Sequence, residues 1–532
     1  MLNLPAAVRI ANAAAVLAGP HGDVTRRARQ HGLSRQALYR DSRCVLQTLQ
    51  EHDRAAHLQQ LRDQVETLRG QIRQLQTQLQ DAVVVDADRL AAFASTAQAE
   101  GVSLPVARRL LAPLLAQPLP GQTRRCKRLP SVAQLGRLSR AAAVRAAALL
   151  PILDAHSRNR VEQAAGDEIF FGRKPCLMVV EQHSLCWVTG CLADQRDGAT
   201  WAKELEQLPQ LKQLTRDGGT GLRKGLALVN QQRPQQDRAV VADQEDHFHA
   251  LREGSRALRR MQGRVSRLVE QAEQAQRREQ RKMRQSGSRQ GVAAATARAW
   301  RQAEEAMDQW SVAEHAWTEV SQAVRLFTPN GELNSRQRAE ARIQAALPAL
   351  AGPEWSKARS ALTRPELLTF LDEAQSKLAA LPVAAEVREA AVTVIGLKRS
   401  PEALAGNDSK AATVRGILLA ASLVLSLSEE AGAKALSLVR GVLGSVWRAS
   451  SLVECINSVA RMQQARHRKM TQGLLDLKRL YWNCREFRTG RRRKQTPYGL
   501  LGVQLPTEDW WELLKLPPEQ LRLHLSALGG AA

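Results

Sequence analysis

Apolar and polar residues alternate with several periods along the chain, and each period predicts a different kind of element. In residues 1–50, apolar positions at helical spacing flank a short turn at Gly32, and Ser34 stands where it would cap the second helix, RQALYRDSRCVLQTL. Two helices joined by such a turn are typical of a helix-turn-helix unit, which contacts DNA bases through the leading turns of its second helix. The residues at those positions are Arg35, Gln36, Tyr39 and Arg40. The alternative is a surface helical hairpin.

Residues 51–85 carry a heptad pattern. Apolar residues recur at alternating spacings of three and four, as at the a and d positions of a coiled coil. These residues are Leu58, Leu61, Val65, Leu68, Ile72, Leu75 and Leu79. We expect this helix to pair with a second copy of the chain in a homodimer or higher oligomer, and the alternative is a helix that packs within its own chain. Gly70 should weaken the middle of the helix.

Residues 86–155 continue with short helices. The segments AEGVSLPVARRLLAPLL and LPSVAQLGRLSRAAAVRAAALLPILD each place a turn before an amphipathic run, and the basic linker PLPGQTRRCKRLP separates them. They predict further helical DNA-binding units, or helices that serve only for packing.

Between residues 156 and 250 the pattern changes to that of β-strands. Three β-rich runs, DEIFF, PCLMVVE and SLCWVTGCLA, are followed by the helix ATWAKELEQL, the strand LKQLTRD, the helix GTGLRKGLALVNQQ and the strand DRAVVADQ. The order β-β-β-α-β-α-β predicts an antiparallel meander joined to α/β units. In a fold with this order we expect strands one and four to be neighbours.

The rest of the chain returns to helical spacing. Residues 251–445 contain long charged helices and several shorter ones, residues 446–505 contain one or two helices and a basic run, and residues 506–532 form a short tail. The apolar run GILLAASLVLSLS is shorter than the roughly 20 residues that span a bilayer, and we expect a buried helix there. The pattern as a whole predicts a multidomain, mostly α protein with one α/β region.

Composition adds charge to this outline. The 532 residues include 77 Lys and Arg against 52 Asp and Glu, for a formal charge of +25. A chain this basic is attracted to polyanions, first of all nucleic acid, and a membrane partner is not expected because no long apolar run occurs. Seven cysteines without a C-x-x-C pair argue against a disulfide framework or a zinc site. Together with an N-terminus that lacks a secretory pattern, they predict a reducing cytoplasm.

Two aspartates stand where they could act together. Asp167 lies in the first strand and Asp217 ends the fourth, so neighbouring strands would bring their carboxylates close. Two close carboxylates repel each other unless a cation compensates them, and carboxylate ligands suit Mg²⁺ or Mn²⁺. Taken alone, Asp217 before two glycines would be only a turn residue. The rivals for the first position are Glu181 and Glu168, and Glu168 should point to the opposite face of the strand.

The stretch from Asp167 to Gly219 resembles the RNase H-like core of DDE transposases and integrases, which have an Asp in strand one and a D-x-G or D-G after strand four. The segment VVEQHSLCWVTGCL is the kind of strand-turn-strand passage that the family has between them. The third acid of the family, usually Glu, lies on a later helix. The candidate is Glu454 in SSLVECINSVAR, which with Asn457 and Arg461 forms an E-x-x-N-x-x-x-R pattern on one helix face. This pattern resembles the third-acid helix of several bacterial insertion-sequence transposases.

The resemblance covers roughly residues 160–250 and 445–505. It implies an RNase H-like core in two parts, residues 156–250 and 446–505, with residues 251–445 as an all-helical insertion between them. The ending GRRRKQTPYGLLG also resembles the C-terminal part of these transposases.

The metal site that the resemblance implies consists of Asp167, Asp217 and Glu454. Two Mg²⁺ or Mn²⁺ ions held in this way can promote phosphodiester cleavage and transfer. Glu429 and Glu430 are rivals for the third acid, but they lack the Asn and Arg companions.

Other residues gain candidate roles from the same resemblance. Asp246 and His249 in DHFH match a [C/D]-x-x-H motif of transposases with an insertion, where it orients the site and the DNA. The alternative for this pair is a local cap or hydrogen bond. Trp447 could stack on a flipped base, as in some relatives, or could pack in the core.

The segment from Arg461 to Lys494 is strongly basic, with 12 Lys and Arg against two acids. Such a density near the acids favours a phosphate-contacting surface over an ordinary solvated helix face. The residues in this segment that are expected to bind DNA are Arg461, Arg491, Arg492 and Arg493, together with Asn457 just before it.

The function that the resemblance implies is that of a DNA transposase of a bacterial insertion sequence. It would cleave and join DNA at the terminal inverted repeats of a mobile element, with double-stranded terminal and target DNA as partners, in the cytoplasm and in association with the nucleoid. The alternatives are an RNase H-like nuclease that cuts without joining, and a non-catalytic DNA-binding regulator derived from a transposase.

Overall fold

A computed structural model gives the structure of residues 4–80, 86–115, 129–399, 404–405, 408–464 and 470–529. These residues are mostly helical and include one five-stranded mixed sheet, which confirms the expected mostly α composition with one α/β region. The chain divides into two compact units, the first made of Met1–Asp86 and Leu111–Leu129 and the second of Ala87–Leu110 and Pro130–Ala532.

The first unit begins with the helices α1 (Ala6–Ala18), α2 (Asp23–Gln30) and α3 (Arg35–Gln80). The hydroxyl of Ser34 accepts a hydrogen bond from the Ala37 amide at 3.3 Å, so the expected cap at the start of α3 is present. Helix α3 then continues without a break for 46 residues. The helix therefore passes through residue 50, where the sequence analysis places a boundary between two segments. Gly70 does not interrupt the helix either.

The apolar heptad residues of α3 face solvent. The side chains from Leu58 to Leu75 in this set are between 43% and 57% exposed, while the environment of Leu79 lies outside the described residues. The alternative to pairing with a second copy was that α3 packs within its own chain. Within the described part of the chain, this seam is not buried in that way.

Three helices precede the sheet, α4 (Ala87–Ala99), α5 (Leu104–Leu115) and α6 (Val132–Ser157). Ser131 caps α6 by accepting a hydrogen bond from the Gln134 amide at 3.1 Å. Both helical segments expected in this region are present, while residues 116–128 of the basic linker lie outside the described residues.

The sheet and its helices follow the predicted order β-β-β-α-β-α-β. The elements are β1 (Gln163–Phe171), β2 (Lys174–Glu181), β3 (Trp187–Leu192), α7 (Gly198–Glu206), β4 (Gln213–Arg216), α8 (Thr220–Gln232) and β5 (Ala242–Glu245). In space the strands are ordered β3-β2-β1-β4-β5, with the first three antiparallel and β1, β4 and β5 parallel. Strands one and four are neighbours, as expected.

Glycines let α7, α8 and the loop before α7 approach closely on one face of the sheet. A Cβ on Gly225 would lie 2.5 Å from the Cβ of Trp201, and a Cβ on Gly221 would lie 1.9 Å from the carbonyl oxygen of Arg196. Trp201 is completely buried, together with Leu222 of α8 and Leu214 of β4. This close packing fixes the start of α8, which directly follows the end of β4.

A block of helices follows β5. It consists of α9 (His247–Ser286), α10 (Val292–Ala323), α11 (Arg336–Ala346), α12 (Ser356–Leu362), α13 (Thr369–Ala379), α14 (Ala385–Lys398), α15 (Ser409–Leu427) and α16 (Glu429–Gly444). The block has an apolar core of its own, which includes Trp317, Trp355 and Phe370. It begins at His247, close to the position where the sequence predicts a helical block.

Helix α15 contains the apolar run that the sequence predicts as a buried helix. By length and composition, it is the one helix within the described residues that could cross a membrane. Its Val414 and Leu425 are buried, but Leu419 is 75% and Leu427 76% exposed. The prediction of a buried helix is therefore correct for one face of α15 and wrong for the other.

The last helices are α17 (Ser451–Gln464), α18 (Gln472–Cys484), α19 (Pro497–Leu500), α20 (Trp510–Lys515) and α21 (Pro518–Gly529). Helix α17 packs on β1 and β2, and α18 packs on β3 and α6. Residues 506–532, expected as a tail, contain α20 and α21, whose Leu513 and Leu521 are buried in the core formed with α6.

Replacing Gly221 by Ala tests the close packing around α8. The new Cβ would collide with the Arg196 carbonyl, and we expect the free energy of unfolding of the second unit to fall by about 3 kcal/mol in urea denaturation. Gly70→Ala is the matched control, since nothing lies within 4 Å of a Cβ there, and it should stabilise α3 by about 1 kcal/mol. Equal effects of the two substitutions would contradict this packing.

Candidate functional site

Asp167, in the middle of β1, lies beside Asp217, which directly follows the end of β4. Gly166 of β1 is paired with Arg216 of β4 in a parallel register, so an aspartate follows each of these two paired residues. Asp217 also makes the turn that the sequence predicts, because its Oδ1 accepts a hydrogen bond from the Gly219 amide at 3.0 Å. Asp217 is thus a turn residue and a neighbour of Asp167 at once.

The alternation along β1 decides which acids can reach this position. Ala165, Asp167 and Ile169 share the face that packs on α17. Glu168 points to the other face, where it accepts a hydrogen bond from the Trp201 indole at 2.7 Å and pairs with Arg196 at 3.4 Å. The expected orientation of Glu168 is confirmed, and this rival is separated from the pair by the sheet.

The second rival, Glu181, has a structural task at the end of β2. Its carboxylate accepts hydrogen bonds from the amides of His183 at 2.9 Å and Ser184 at 2.6 Å, and from the Ser184 hydroxyl. It therefore shapes the turn between β2 and β3. Glu429 and Glu430 begin α16 in the helical block.

Helix α17 carries two parallel stripes of side chains. Val453, Ile456 and Ala460 are completely buried against β1 and β2. The residues that follow each of them are Glu454, Asn457 and Arg461. Because successive helical residues are about 100° apart, burial of the first stripe turns the second stripe towards Asp167 of β1.

The polar stripe of α17 contacts both an aspartate and itself. The Asn457 amide nitrogen donates a hydrogen bond to Asp167 Oδ2, and Arg461 pairs with Glu454 at 3.0 Å. Asn457 is completely buried, and its Oδ1 has no hydrogen-bond partner among the described residues. Asn457 therefore belongs with the acids and not with the exposed DNA-contacting surface to which the sequence assigned it.

The electrostatics link the three acids. Burial raises the pKa of Asp167 to about 7, and the negative charges of Asp217 and Glu454 act in the same direction. The Glu168 amide and the charge of His249 oppose this rise. Asp217, Glu454 and His249 are therefore close enough to affect the protonation of Asp167.

The carboxylates of Asp167, Asp217 and Glu454 are suitable ligands for a divalent cation, provided that Glu454 moves away from Arg461. Within the described parts of the chain, no group of three or more His, Cys, Asp or Glu side chains is arranged to hold a metal ion as it stands. Glu454 is held by Arg461, while Asp167 is in contact with Asn457, whose Oδ1 has no hydrogen-bond partner among the described residues. A cation would relieve the repulsion between the two aspartates, and Glu454 could join them once it leaves Arg461.

Asp246 ties the start of the helical block to the segment before α17. Its Oδ1 accepts a hydrogen bond from the Phe248 amide at 2.7 Å, which caps α9. Its Oδ2 accepts hydrogen bonds from His249 at 3.0 Å, from the Ser450 amide at 3.0 Å and from the Ser450 hydroxyl. Although burial acts to raise the pKa of Asp246, hydrogen bonds from His249 and Ser450 hold it below its ordinary value. Asp246 and His249 thus form the local cap and hydrogen bond that the sequence analysis gives as the alternative to a functional motif. Asp246 also links two chain segments that are 204 positions apart.

Further contacts strengthen the same tie. Both the amide and the Nδ1 of His247 contact the carbonyl oxygen of Arg448, at 3.1 Å and 2.6 Å. The hydrogen bond to Asp246 raises the pKa of His249, which favours a positive charge near Asp167 and Asp217. The two ends of the helical block thus meet beside the acids.

The basic residues near the site differ in availability. Arg491 and Arg493 are exposed, and the Arg491 guanidinium lies over the half-buried Trp447 ring at 5.9 Å. Arg492 instead donates to the carbonyls of His183 at 2.7 Å and Gln182 at 3.0 Å, so it braces the β2–β3 turn. The expected phosphate contact of Arg492 would require these hydrogen bonds to break. Arg466, Arg468 and Lys469 of the basic segment lie outside the described residues.

A buried charge network beside Asp217 was not expected from the sequence. Arg216 is completely buried and pairs with Asp243 of β5 at 2.7 Å, and Arg364 of the helical block pairs with Glu245 at 2.6 Å. Arg364 also lies beside the turn, since a Cβ on Gly218 would be 3.4 Å from its Nη1. Arg364 and Glu245 are 119 positions apart, and no local pattern marks the pair.

Asp167→Asn should change how stability depends on pH in metal-free protein. The folded pKa of about 7 lies above that of an unfolded aspartate, about 3.9. The carboxyl therefore favours the folded state when it is protonated, and stability falls as the pH rises through this interval, by up to about 4 kcal/mol.

Urea unfolding with EDTA at pH 5 and pH 8 measures this effect. The wild type should lose stability between the two values, and Asp167→Asn should lose much less. Glu168→Gln, which removes the neighbouring carboxylate on the opposite face, should behave like the wild type. A pH dependence of Asp167→Asn equal to that of the wild type would contradict the described environment of Asp167.

Known proteins do not assign this arrangement to a family. Comparisons with protein-family models, curated proteins and solved structures found no match to this chain.

Proposed function

We propose that this chain is a DNA transposase that performs metal-dependent cleavage and strand transfer at the ends of a mobile element. The observation that carries the proposal is the pairing of β1 with β4, which sets Asp167 beside Asp217, with Glu454 of α17 in electrostatic range. The strand order and the late acidic helix are those of the RNase H-like core that the sequence resembles. The helical block α9–α16 stands where an all-helical insertion would stand.

Asp167, Asp217 and Glu454 would hold the two Mg²⁺ or Mn²⁺ ions. When bound, such ions activate an attacking oxygen and stabilise a leaving oxygen in phosphodiester displacement. The chain's own residues prepare the site. Asn457 orients Asp167 through a hydrogen bond, and Arg461 keeps Glu454 paired. The hydrogen bonds that Ser450 donates to Asp246 hold the start of α17 in place.

The basic surface supports a DNA substrate. The N-terminal residues Arg35, Gln36, Tyr39 and Arg40 are exposed on the first turns of α3, as base-contacting residues of a helix-turn-helix unit must be. Arg491 and Arg493 are exposed in the second unit and are available to phosphates. The partners would be the terminal inverted repeats and target DNA, and the location a bacterial cytoplasm with its nucleoid.

Strand transfer by the purified chain tests the proposed activity. The substrates are oligonucleotides with the terminal repeats found in the DNA that flanks the gene, incubated with Mg²⁺. The wild type should cleave and join them, and Asp217→Asn should lose about 10³-fold or more in rate, equivalent to about 4 kcal/mol of transition-state stabilisation. Glu430→Gln, which removes a rival acid in α16, should keep the wild-type rate.

The other outcomes separate the alternatives. Cleavage without joining would favour a nuclease on the same site. Specific DNA binding without cleavage by the wild type would favour a non-catalytic regulator. An Asp217→Asn variant as active as the wild type would reject the proposed metal site.

Leu68→Asp should convert the proposed oligomer to monomers. Leu68 lies in the middle of the exposed heptad seam of α3 and is 56% exposed in the single chain, so a charge there would be buried on pairing at high cost. Sedimentation velocity measures the change. Thr67→Asp introduces the same charge at a neighbouring position off the seam and should remain an oligomer. An unchanged oligomer of Leu68→Asp would reject pairing through α3.

A further inference from the structure

Helix α3 joins the recognition residues, Arg35, Gln36, Tyr39 and Arg40, to the apolar seam through one continuous helix. No break separates the two parts within Arg35–Gln80. Arg40 and Leu58 are 18 residues apart in sequence, so about 27 Å of helix connects the recognition residues to the start of the seam. The orientation in which two seams pair therefore determines where the two sets of recognition residues lie.

The residue types of the seam favour one orientation. With Leu58 at an a position, the a residues include Val65 and Ile72, and the d residues are Leu61, Leu68 and Leu75. β-branched residues at a with leucine at d are the combination that favours parallel two-stranded coiled coils. Because these side chains are about half-exposed in the single chain, a second copy would bury a continuous apolar surface.

The flanking charges agree with this orientation. Arg62 and Arg69 fall at e positions, and Gln64 and Gln71 fall at g positions. In a parallel pair the e residues face the partner's g residues, so arginine faces glutamine. In an antiparallel pair the e residues face each other, and arginines of the two chains would repel. Gly70 falls at the outermost f position, where nothing lies within 4 Å of a Cβ.

We propose that α3 pairs with α3 of a second copy in a parallel, in-register coiled coil, so that both sets of recognition residues leave the same end of the dimer. The recognition residues would then form a fork with a two-fold axis along the coiled coil. One dimer would bind two half-sites related by that axis. An antiparallel pair would instead hold the recognition residues roughly 90 Å apart, at opposite ends.

Disulfide mapping tests the orientation in the full chain. Leu61→Cys and Ile72→Cys are combined in a background where Cys44 and Cys455, both exposed, are replaced by Ser, and cross-linked peptides are identified by mass spectrometry. A parallel pair should form the 61–61 and 72–72 disulfides, since facing core positions have Cα separations in the range that a disulfide spans. A dominant 61–72 disulfide between chains would overturn the proposal. Glu66→Cys with Arg73→Cys, on the outer face, should give no cross-link between chains.

A second measurement leaves the seam unchanged. Dyes are placed on the native Cys44 with Cys126 and Cys455 replaced by Ser, and energy transfer is measured between copies. Parallel pairing brings the two Cys44 residues together and should give high transfer, whereas antiparallel pairing would hold them roughly 70 Å apart and give little. Low transfer in a dimer would also overturn the proposal, and so would a monomer.

Only the half-site consequence of the fork rests on the proposed DNA-binding function. Both orientation measurements are made without DNA, so they succeed or fail independently of strand transfer. A parallel dimer that does not cleave or join DNA would contradict the proposed function and leave the fork intact. An active protein with antiparallel or absent pairing would contradict the fork alone.

Discussion

The parallel pairing of β1 with β4 is the constraint on which the candidate site depends. It brings Asp167 of β1 beside Asp217 at the end of β4, where burial raises the pKa of Asp167 and the neighbouring charges add to the effect. A buried carboxylate beside a partly exposed one gives the fold no stability, because the two charges repel each other. Under the proposed function, a cation that binds there would relieve this repulsion.

Residues far along the chain from the two aspartates also reach the candidate site, because α17 packs on the sheet beside them. Val453, Ile456 and Ala460 bury one stripe of α17 on the sheet, which brings Asn457 into contact with Asp167 and Glu454 close to it. The chain leaves β5 at Asp246 for the helical block and returns at Ser450, and hydrogen bonds join these two points. These hydrogen bonds hold the start of α17 beside β5, although 204 positions separate Asp246 from Ser450.

Local patterns were sufficient for the elements and for part of the site. Apolar runs and turns predicted the order of strands and helices along the sheet region. The two-residue period predicted that Glu168 turns away from Asp167, and helical spacing placed Glu454, Asn457 and Arg461 on one face. Contacts set by tertiary packing were not predictable. Arg364 reaches Glu245 across 119 positions, the Trp511 indole reaches Asp88 across 423 positions at 3.1 Å, and Arg492 is engaged by backbone carbonyls. The burial of Asn457 and the exposure of one face of α15 likewise depend on which other elements pack against them. A local sequence pattern does not specify those elements.

The central claim is that Asp167, Asp217 and Glu454 form one metal site, and Mn²⁺ binding tests it most directly. Binding to the full chain can be followed by electron paramagnetic resonance at pH 8, with the wild type compared with Glu454→Gln and with Arg461→Gln, which frees Glu454 from its ion pair. The account predicts that the wild type binds Mn²⁺, that Glu454→Gln binds at least about tenfold more weakly, and that Arg461→Gln retains binding. Equal affinity of Glu454→Gln and the wild type for Mn²⁺ would contradict the claim that Glu454 of α17 completes the metal site.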